Sequence, residues 1–166
     1  MIRGHINPCW DMEDFYKLPY HEAPFYDDHQ LNEYVSCGHI KESMMIYKYH
    51  EPNPMPSCVK EKVIPHFCDW ENATSAINLF KPGTYLPYHS DSYLRYKQVF
   101  NITTQDIVRS VIMLEDWQPG QMILIENESY SGWKPGDYWV WKNDTKHSFY
   151  NMSLVNRYAL QLTGTI

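Results

Sequence analysis

The chain has 166 residues and a mass of 19.8 kDa, a length that predicts one domain with room for a sizeable core. Hydrophobic residues make up 43% of the chain and charged residues 20%, a balance that excludes wholesale disorder. The formal net charge of -6 argues against nucleic acid as a partner, and the apolar stretches are too short to span a bilayer, so we expect no membrane partner.

The first 70 residues are polar, aromatic and irregular, and they predict a region that flanks the main fold. Asp27 and Asp28 can cap a short helix that continues through HQLNEYVS. The segment 43–49, SMMIYKY, predicts a strand, and the prolines within 51–56 predict a loop. The first residues lack the apolar core of a secretory signal, so the expected compartment is the cytoplasm.

From residue 74 onward the sequence predicts short strands separated by Pro-Gly and Asn-Asp turns. The predicted strands are Ser75–Phe80, Thr84–His89, Asp106–Glu115, Gln121–Glu126, Tyr130–Trp133, Asp137–Lys142, His147–Tyr150 and Asn156–Thr163. This pattern predicts a mainly β fold, an antiparallel sandwich or jelly roll over residues 74–165, within a single domain that spans 1–166. We interpret the strand-borne Trp139 and Trp141, together with Arg109 and Trp117, as structural residues.

Three side chains in the second half are candidate metal ligands. His89 and Asp91 are two residues apart, so in an extended strand they would face the same side, and His147 begins a later strand. Two histidines and one carboxylate form the facial triad of non-haem iron, which leaves the remaining coordination positions open. The His-x-Asp tripeptide is weak evidence taken alone, because a surface histidine beside a turn aspartate explains it equally well.

Arg157 follows His147 by ten residues, in the last predicted strand. An arginine that points into the fold without a partner is costly, and it becomes sensible when an anionic ligand pairs with its guanidinium. The alternation of the strand does not decide the direction, so a solvent-exposed arginine remains the alternative.

The residues from about Ala76 to Thr163 resemble the Fe(II)/2-oxoglutarate-dependent dioxygenases of the prolyl-hydroxylase-like, double-stranded β-helix type. The resemblance rests on FKPG-x5-HSD at 80–91, the strand–turn–strand at 109–121, and KPGD-x9-His-x9-Arg at 134–157.

It implies that His89, Asp91 and His147 are the catalytic iron ligands, and that Arg157 binds the distal carboxylate of 2-oxoglutarate. It further implies hydroxylation of a C–H bond, by analogy in an amino-acid side chain, free or in a peptide. Molecular oxygen and 2-oxoglutarate would be consumed and succinate released.

The chain departs from this family pattern at Phe80, where prolyl-hydroxylase-like members usually carry a tyrosine that helps hold the cosubstrate. The candidates for that role here are Asn78, Tyr85 and Tyr88. The stretch from Asn78 to Gly83 also resembles the Asn-x-Tyr-x-Pro-Gly stretch of AlkB-type nucleic-acid demethylases. Those enzymes carry a second arginine where this chain has Thr163, and they have a basic surface that this chain lacks.

An AlkB-like demethylase and a non-catalytic, cupin-like metal-binding jelly roll therefore stay as alternatives. The segment 92–105 is too long for a tight turn and predicts a lid or binding surface, in which Tyr93, Arg95 and Tyr96 either contact the primary substrate or are solvated. The primary substrate, whether amino acid, peptide or small metabolite, is not identified by these residues.

Overall fold

A computed structural model describes residues 1–24, 28–103 and 106–166 of the chain. The helices in this part are α1 (Met12–Tyr16), α2 (Asp28–Ser36) and α3 (Leu94–Phe100). The strands are β1 (Ile2–His5), β2 (His21–Ala23), β3 (Ile46–His50), β4 (Glu71–Phe80), β5 (Thr84–His89), β6 (Ile107–Met113), β7 (Gln121–Ile125), β8 (Glu128–Tyr130), β9 (Asp137–Lys142), β10 (His147–Asn151) and β11 (Arg157–Thr165).

The strands form two antiparallel sheets, which gives the mainly β jelly roll that the sequence predicts. The large sheet has seven strands in the order β1-β9-β6-β11-β4-β3-β2, and the small sheet has four in the order β5-β10-β7-β8. Chain neighbours such as β4 and β5 lie in different sheets, so the two sheets are built together and face each other across a core.

The large sheet is buried on both faces, because the first 70 residues cover the face that points away from the small sheet. Trp139 and Trp141 on β9 point inward and are 1% and 2% exposed. Tyr138 and Val140, on the opposite face, pack against an outer cluster that includes Phe15 of α1. The alternation of strand β9 therefore places the two tryptophans in the core between the sheets.

The N-terminal region contributes strands to the main sheet as well as covering it. Strand β1 pairs with β9, and β2 and β3 extend the sheet beyond β4. Strand β3 covers most of the predicted 43–49 segment, and α2 forms over the predicted helix, although the predicted capping residue Asp27 lies outside the described residues. Within the described ranges, no helix is long and apolar enough to cross a membrane.

The predicted strand Tyr130–Trp133 is wrong in position, because β8 ends at Tyr130. Ile125 pairs with Glu128, so a two-residue turn joins β7 to β8, with Glu126 at a φ of 53°. A turn of this kind normally carries glycine or asparagine at its first position, and for that reason the sequence did not reveal it. Gly132, at a φ of 71°, then breaks the extended conformation before Trp133.

Candidate metal centre

The two candidate histidine ligands are cross-strand neighbours in the small sheet. His147 at the start of β10 pairs with His89 at the end of β5, and their ring centroids are 4.6 Å apart. The next pair in the ladder is Phe149 with Leu86, so β5 spends one residue more than β10 over this interval. This β-bulge turns His89, rather than Tyr88, toward the core between the sheets.

Asp91 follows the end of β5 by two residues and folds back onto both imidazoles. Its Oδ1 lies 3.9 Å from His89 Nε2, and its Oδ2 lies 3.4 Å from His147 Nε2. One ligand atom from each of the three residues lies within 4.8 Å of the other two. Adjacent ligands of a six-coordinate ion are about 3 Å apart, so a small contraction brings these donors to bonding distance.

Hydrogen bonds on the far side of each ring fix the orientation of the two histidines. The Nδ1 of His89 lies 2.7 Å from the carbonyl of Pro87, and the Nδ1 of His147 lies 2.9 Å from the carbonyl of Thr145. Because a carbonyl accepts, each Nδ1 carries the proton and each Nε2 presents its lone pair toward Asp91. Two imidazole nitrogens and one carboxylate on one side of a cavity are the donor set of a facial-triad metal site.

The charges around the cluster favour metal binding at neutral pH. Burial raises the pKa of Asp91, but the cations and imidazoles around it, first of all Arg109, outweigh burial and hold it at about 2. Burial lowers the pKa of His147 to about 4, and it also lowers the pKa of His89. The carboxylate is therefore ionised and the imidazoles are neutral, which are the forms that coordinate a metal.

Arg109 on β6 contacts the carboxylate directly, with Nη1 2.5 Å from Asp91 Oδ2. Its Nε donates to the hydroxyl of Thr163, 3.3 Å away on β11, and its guanidinium lies 4.6 Å from the ring centroid of Tyr93. The interpretation of Arg109 as a purely structural residue is therefore corrected, because it orients the candidate ligand Asp91. Nothing in the sequence around Arg109 marks this, since it depends on which strands lie beside β6.

Arg157 resolves the question that strand alternation left open, because it is buried at 3% exposure. Its guanidinium lies among the rings of Phe80, Trp133 and Phe149, 4.8 to 5.3 Å from their centroids. Nη1 donates to the Tyr150 carbonyl at 3.3 Å, whereas Nε and Nη2 have no hydrogen-bond partner among the described residues. Burial lowers the pKa of Arg157 to about 9, so it remains a cation at neutral pH.

One cavity between the sheets, which we call the inner cavity, joins the triad to this arginine. Its walls include His89, Asp91, His147, Arg157, Arg109, Lys48, Asn78 and Gln161. Asn78 donates to Gln161 Oε1 at 3.1 Å. Its own Oδ1 is buried with no hydrogen-bond partner in the described part of the chain. Of the three residues predicted to assist cosubstrate binding, Asn78 is therefore the one on the cavity wall.

Tyr85 and Tyr88 lie elsewhere on β5. The Tyr85 hydroxyl is 2.8 Å from His39 Nδ1, and its ring stacks on Tyr150 at 6.0 Å. Tyr88 is 42% exposed and donates to the Glu126 carbonyl. The bulge in β5 leaves both side chains out of the inner cavity, which corrects their placement beside the cosubstrate.

A second cavity, which we call the outer groove, has a volume of about 1040 Å³ and adjoins the inner cavity. The predicted substrate residues Tyr93, Arg95 and Tyr96 line it, at the start of α3. Tyr93 is buried and Arg95 is exposed, while the Tyr96 hydroxyl donates to the Asn72 carbonyl. The segment predicted as a lid is therefore partly helical. Its last two residues, 104 and 105, lie outside the described part.

Lys48 on β3 is a second residue that the sequence did not single out. It lies on the wall of both cavities and is half-buried. Burial, together with the positive charge of Arg109, lowers the pKa of Lys48 to about 8. Only the pairing of β3 with β4, which sets Lys48 opposite Asn78, brings it to the cavity.

No protein-family model and no curated protein matches the chain. Among solved structures, a prolyl-4-hydroxylase from Pseudomonas putida is similar over 93% of this chain and 96% of its own, with a TM-score of 0.54 and 13% identity. The Cnp3 cupin domain of Schizosaccharomyces pombe gives 0.45 and 8% identity, with 73% of this chain and 65% of that one covered. A predicted oxalate decarboxylase from Thermotoga maritima gives 0.46 and 13%, with 74% and 82% covered. These likenesses establish the fold, a jelly roll of the cupin type.

Proposed function

We propose that this chain is an Fe(II)- and 2-oxoglutarate-dependent dioxygenase that hydroxylates a C–H bond of an amino-acid side chain, free or in a peptide. The observation that carries the proposal is the shared inner cavity. It holds a His89, Asp91 and His147 cluster at one end and the buried cation of Arg157 at the other. A metal site alone would not require a buried guanidinium that has two nitrogens without a partner.

The donor set fits Fe(II), because two imidazole nitrogens and one carboxylate occupy one side of the ion and leave the other positions for ligands. When bound, Fe(II) supplies the redox chemistry by which one molecule of oxygen hydroxylates the substrate and converts 2-oxoglutarate to succinate and carbon dioxide. The tautomers set by Pro87 and Thr145 keep both Nε2 atoms available, and Arg109 holds the Asp91 carboxylate ionised and in place.

Arg157 would orient 2-oxoglutarate by pairing with its distal carboxylate. Nε and Nη2 lie on one edge of the guanidinium, and both need an acceptor, which suits a two-point contact with a carboxylate. The rings of Phe80, Trp133 and Phe149 exclude water from this contact, and in a dry site a charge pair is stronger than in solvent.

The missing tyrosine at position 80 has a physical replacement in this proposal. Phe80 packs its ring against the guanidinium, so it supports Arg157 without a hydrogen bond. The polar contact passes to Asn78, whose amide lies on the cavity wall beside Gln161.

The AlkB-like alternative has less support at the corresponding residue. Thr163 stands where those enzymes carry their second arginine, and here its hydroxyl accepts a hydrogen bond from Arg109. The non-catalytic jelly roll would use the triad without 2-oxoglutarate, so turnover of 2-oxoglutarate separates it from the dioxygenase.

The test is release of succinate from 2-oxoglutarate by the whole chain, supplied with Fe(II) and oxygen. Slow turnover is expected even without a primary substrate. It should fall at least about a hundredfold in Asp91→Ala and in Arg157→Gln, because these remove a metal ligand and the cosubstrate partner. The matched controls are Asp116→Ala and Arg3→Gln, at exposed ion-paired positions, which should keep turnover. Metal binding without succinate release would instead favour the non-catalytic jelly roll.

A further inference from the structure

Lys48 lies where the outer groove meets the inner cavity. It is in the middle of β3 and opposite Asn78 of β4, so it belongs to the wall that faces the small sheet. Its side chain lines both cavities, which places its ammonium group on the path between the solvent-facing groove and the metal ligands. A group entering the inner cavity from this side passes Lys48.

The ammonium group lacks a partner within the described residues. It forms neither a hydrogen bond nor an ion pair there, whereas the other groove lysine, Lys60, lies 3.7 Å from Glu51. The charges that act on Lys48 are those of Arg109 and Asp91, and Asp91 is already engaged by Arg109 at 2.5 Å. A half-buried cation with its nearest carboxylate occupied is held at a cost, which an incoming anion would remove.

The charge balance of the inner cavity points to the same need. Its charged wall residues are three cations, Lys48, Arg109 and Arg157, against the single carboxylate of Asp91. A ferrous ion and the dianion of 2-oxoglutarate would add opposite charges of equal size, so the excess of two positive charges would remain. The cosubstrate therefore does not neutralise this site, and a further anion would.

Lys48 belongs to the triad end of the cavity rather than to the Arg157 end. The charges that perturb it are Arg109 and Asp91, and the charge of Lys48 acts in turn on His89, while Arg157 is perturbed by burial alone. The distal carboxylate of 2-oxoglutarate, placed at Arg157 in the proposed function, is thus not the partner of Lys48.

Resting on the proposed function, we infer that the primary substrate carries a carboxylate that pairs with Lys48 at the junction of the outer groove and the inner cavity. A single ammonium suits a carboxylate better than a phosphate, because phosphate sites usually combine several donors with backbone N–H groups. The substrate class is therefore an organic acid of the amino-acid type, either a free amino acid or an acidic segment of a peptide. Lys48 acts as its specificity-determining residue.

The experiment measures binding without turnover. The whole chain is saturated with Zn(II), as a redox-inert stand-in, and with 2-oxoglutarate, and is titrated by NMR with N-acetylalanine and with N-acetylalaninamide. These probes differ in carrying a carboxylate or a neutral amide at the same position. The acid should bind about tenfold to a hundredfold more tightly, as expected for a charge-assisted hydrogen bond. Lys48→Met should remove the preference and Lys48→Arg should retain it.

Lys60→Met is the matched control, since it removes a groove lysine that already has a carboxylate partner. It should leave the preference for the acid unchanged. The inference is overturned if neither probe binds, if the two bind equally, if inorganic phosphate displaces the acid at lower concentration, or if the preference survives in Lys48→Met.

Titration with 2-oxoglutarate alone separates this inference from the proposed function. Lys48→Met should change the affinity for 2-oxoglutarate by less than about twofold. A tenfold loss would assign Lys48 to the cosubstrate and overturn the inference, with the dioxygenase proposal intact. A wild-type chain that shows the acid preference but releases no succinate would instead contradict the proposed function alone.

Discussion

Arg157 is a residue whose burial serves ligand binding at the expense of stability. Its guanidinium is surrounded by aromatic rings and has a single hydrogen bond, to a backbone carbonyl. Burying a cation without an acidic partner is unfavourable, and the aromatic faces offset only part of that cost. We therefore expect the residue most needed for cosubstrate binding to be one that destabilises the ligand-free chain.

Arg157→Met tests this trade-off. The methionine fills a similar volume without a charge, so the ligand-free chain should gain about 1 to 3 kcal/mol in free energy of unfolding. Chemical denaturation measures the gain, and 2-oxoglutarate should no longer protect the variant. Arg3→Met, at an exposed arginine, is the control and should change stability by less than about 0.5 kcal/mol. A destabilised Arg157→Met chain would contradict the interpretation.

Arg109 is the residue that positions the aspartate ligand. Arg109→Gln removes the cation at Asp91 Oδ2, and the loss of such supporting contacts typically lowers metal affinity by about 10- to 100-fold. Calorimetric titration with Mn(II) measures the change. Lys142→Gln, which removes an exposed lysine 2.6 Å from Asp106, should leave Mn(II) affinity as it is. Unchanged or tighter binding in Arg109→Gln would mean that the arginine competes with the metal for Asp91.

At the scale of elements, the turn between β10 and β11 holds Arg157 in register. Asn151, the last residue of β10, is fully buried, and its Nδ2 donates to the carbonyls of Phe80 at 2.8 Å and Val155 at 2.9 Å. Its Oδ1 accepts from the Ser153 hydroxyl at 2.6 Å. One side chain thus joins the end of β4 to the segment that leads into β11.

Asn151→Ala should cost about 2 to 4 kcal/mol, because two buried carbonyls and one hydroxyl lose their partner at once. Urea denaturation measures the loss, and the affinity for 2-oxoglutarate should fall with it, since Arg157 follows this turn. Asn53→Ala removes an exposed amide that donates to a single carbonyl, so it should cost less than about 1 kcal/mol. Equal losses in the two variants would contradict the role of the turn.

The elements also show what sequence patterns can and cannot predict. Strand β9 and the residue range of β5 are as the turn signals predict, because Pro-Gly and Asn-Asp turns have strong local preferences. The bulge in β5 was not predictable, since it exists only in the pairing with β10. For that reason the spacing identified His89 as a candidate ligand, yet it also placed Tyr85 and Tyr88 beside the cosubstrate.

For the molecule as a whole, the jelly roll was predictable from strand spacing, whereas part of the cavity wall was not. Arg109 and Lys48 are charged residues within ordinary strands, and nothing local marks them as inward-facing. Their placement depends on the order of seven strands in the large sheet, a long-range property of the fold. Charged wall residues of this kind become recognisable only when the sheet is assembled.

Metal binding should stabilise the whole fold, because the ligands come from both sides of the β5–β10 pair and from the loop that follows β5. Zn(II) at a hundred times its dissociation constant should add about 2.7 kcal/mol, which is roughly a 5 to 11 °C rise in Tm for a chain of this size. Differential scanning calorimetry measures the shift. His147→Ala should show almost none, and a full shift in that variant would place the metal elsewhere.

Strand β3 belongs to the first 70 residues, yet it brings Lys48 to the same space as ligands that all come after residue 88. Selectivity and oxidation are thereby written on separate lengths of polypeptide. A natural or engineered change confined to the early strands could exchange one acid for another while the later strands keep their grip on iron. Diversity among chains of this design should then concentrate ahead of the barrel, and grafting that leading segment would be the economical way to redirect the catalyst.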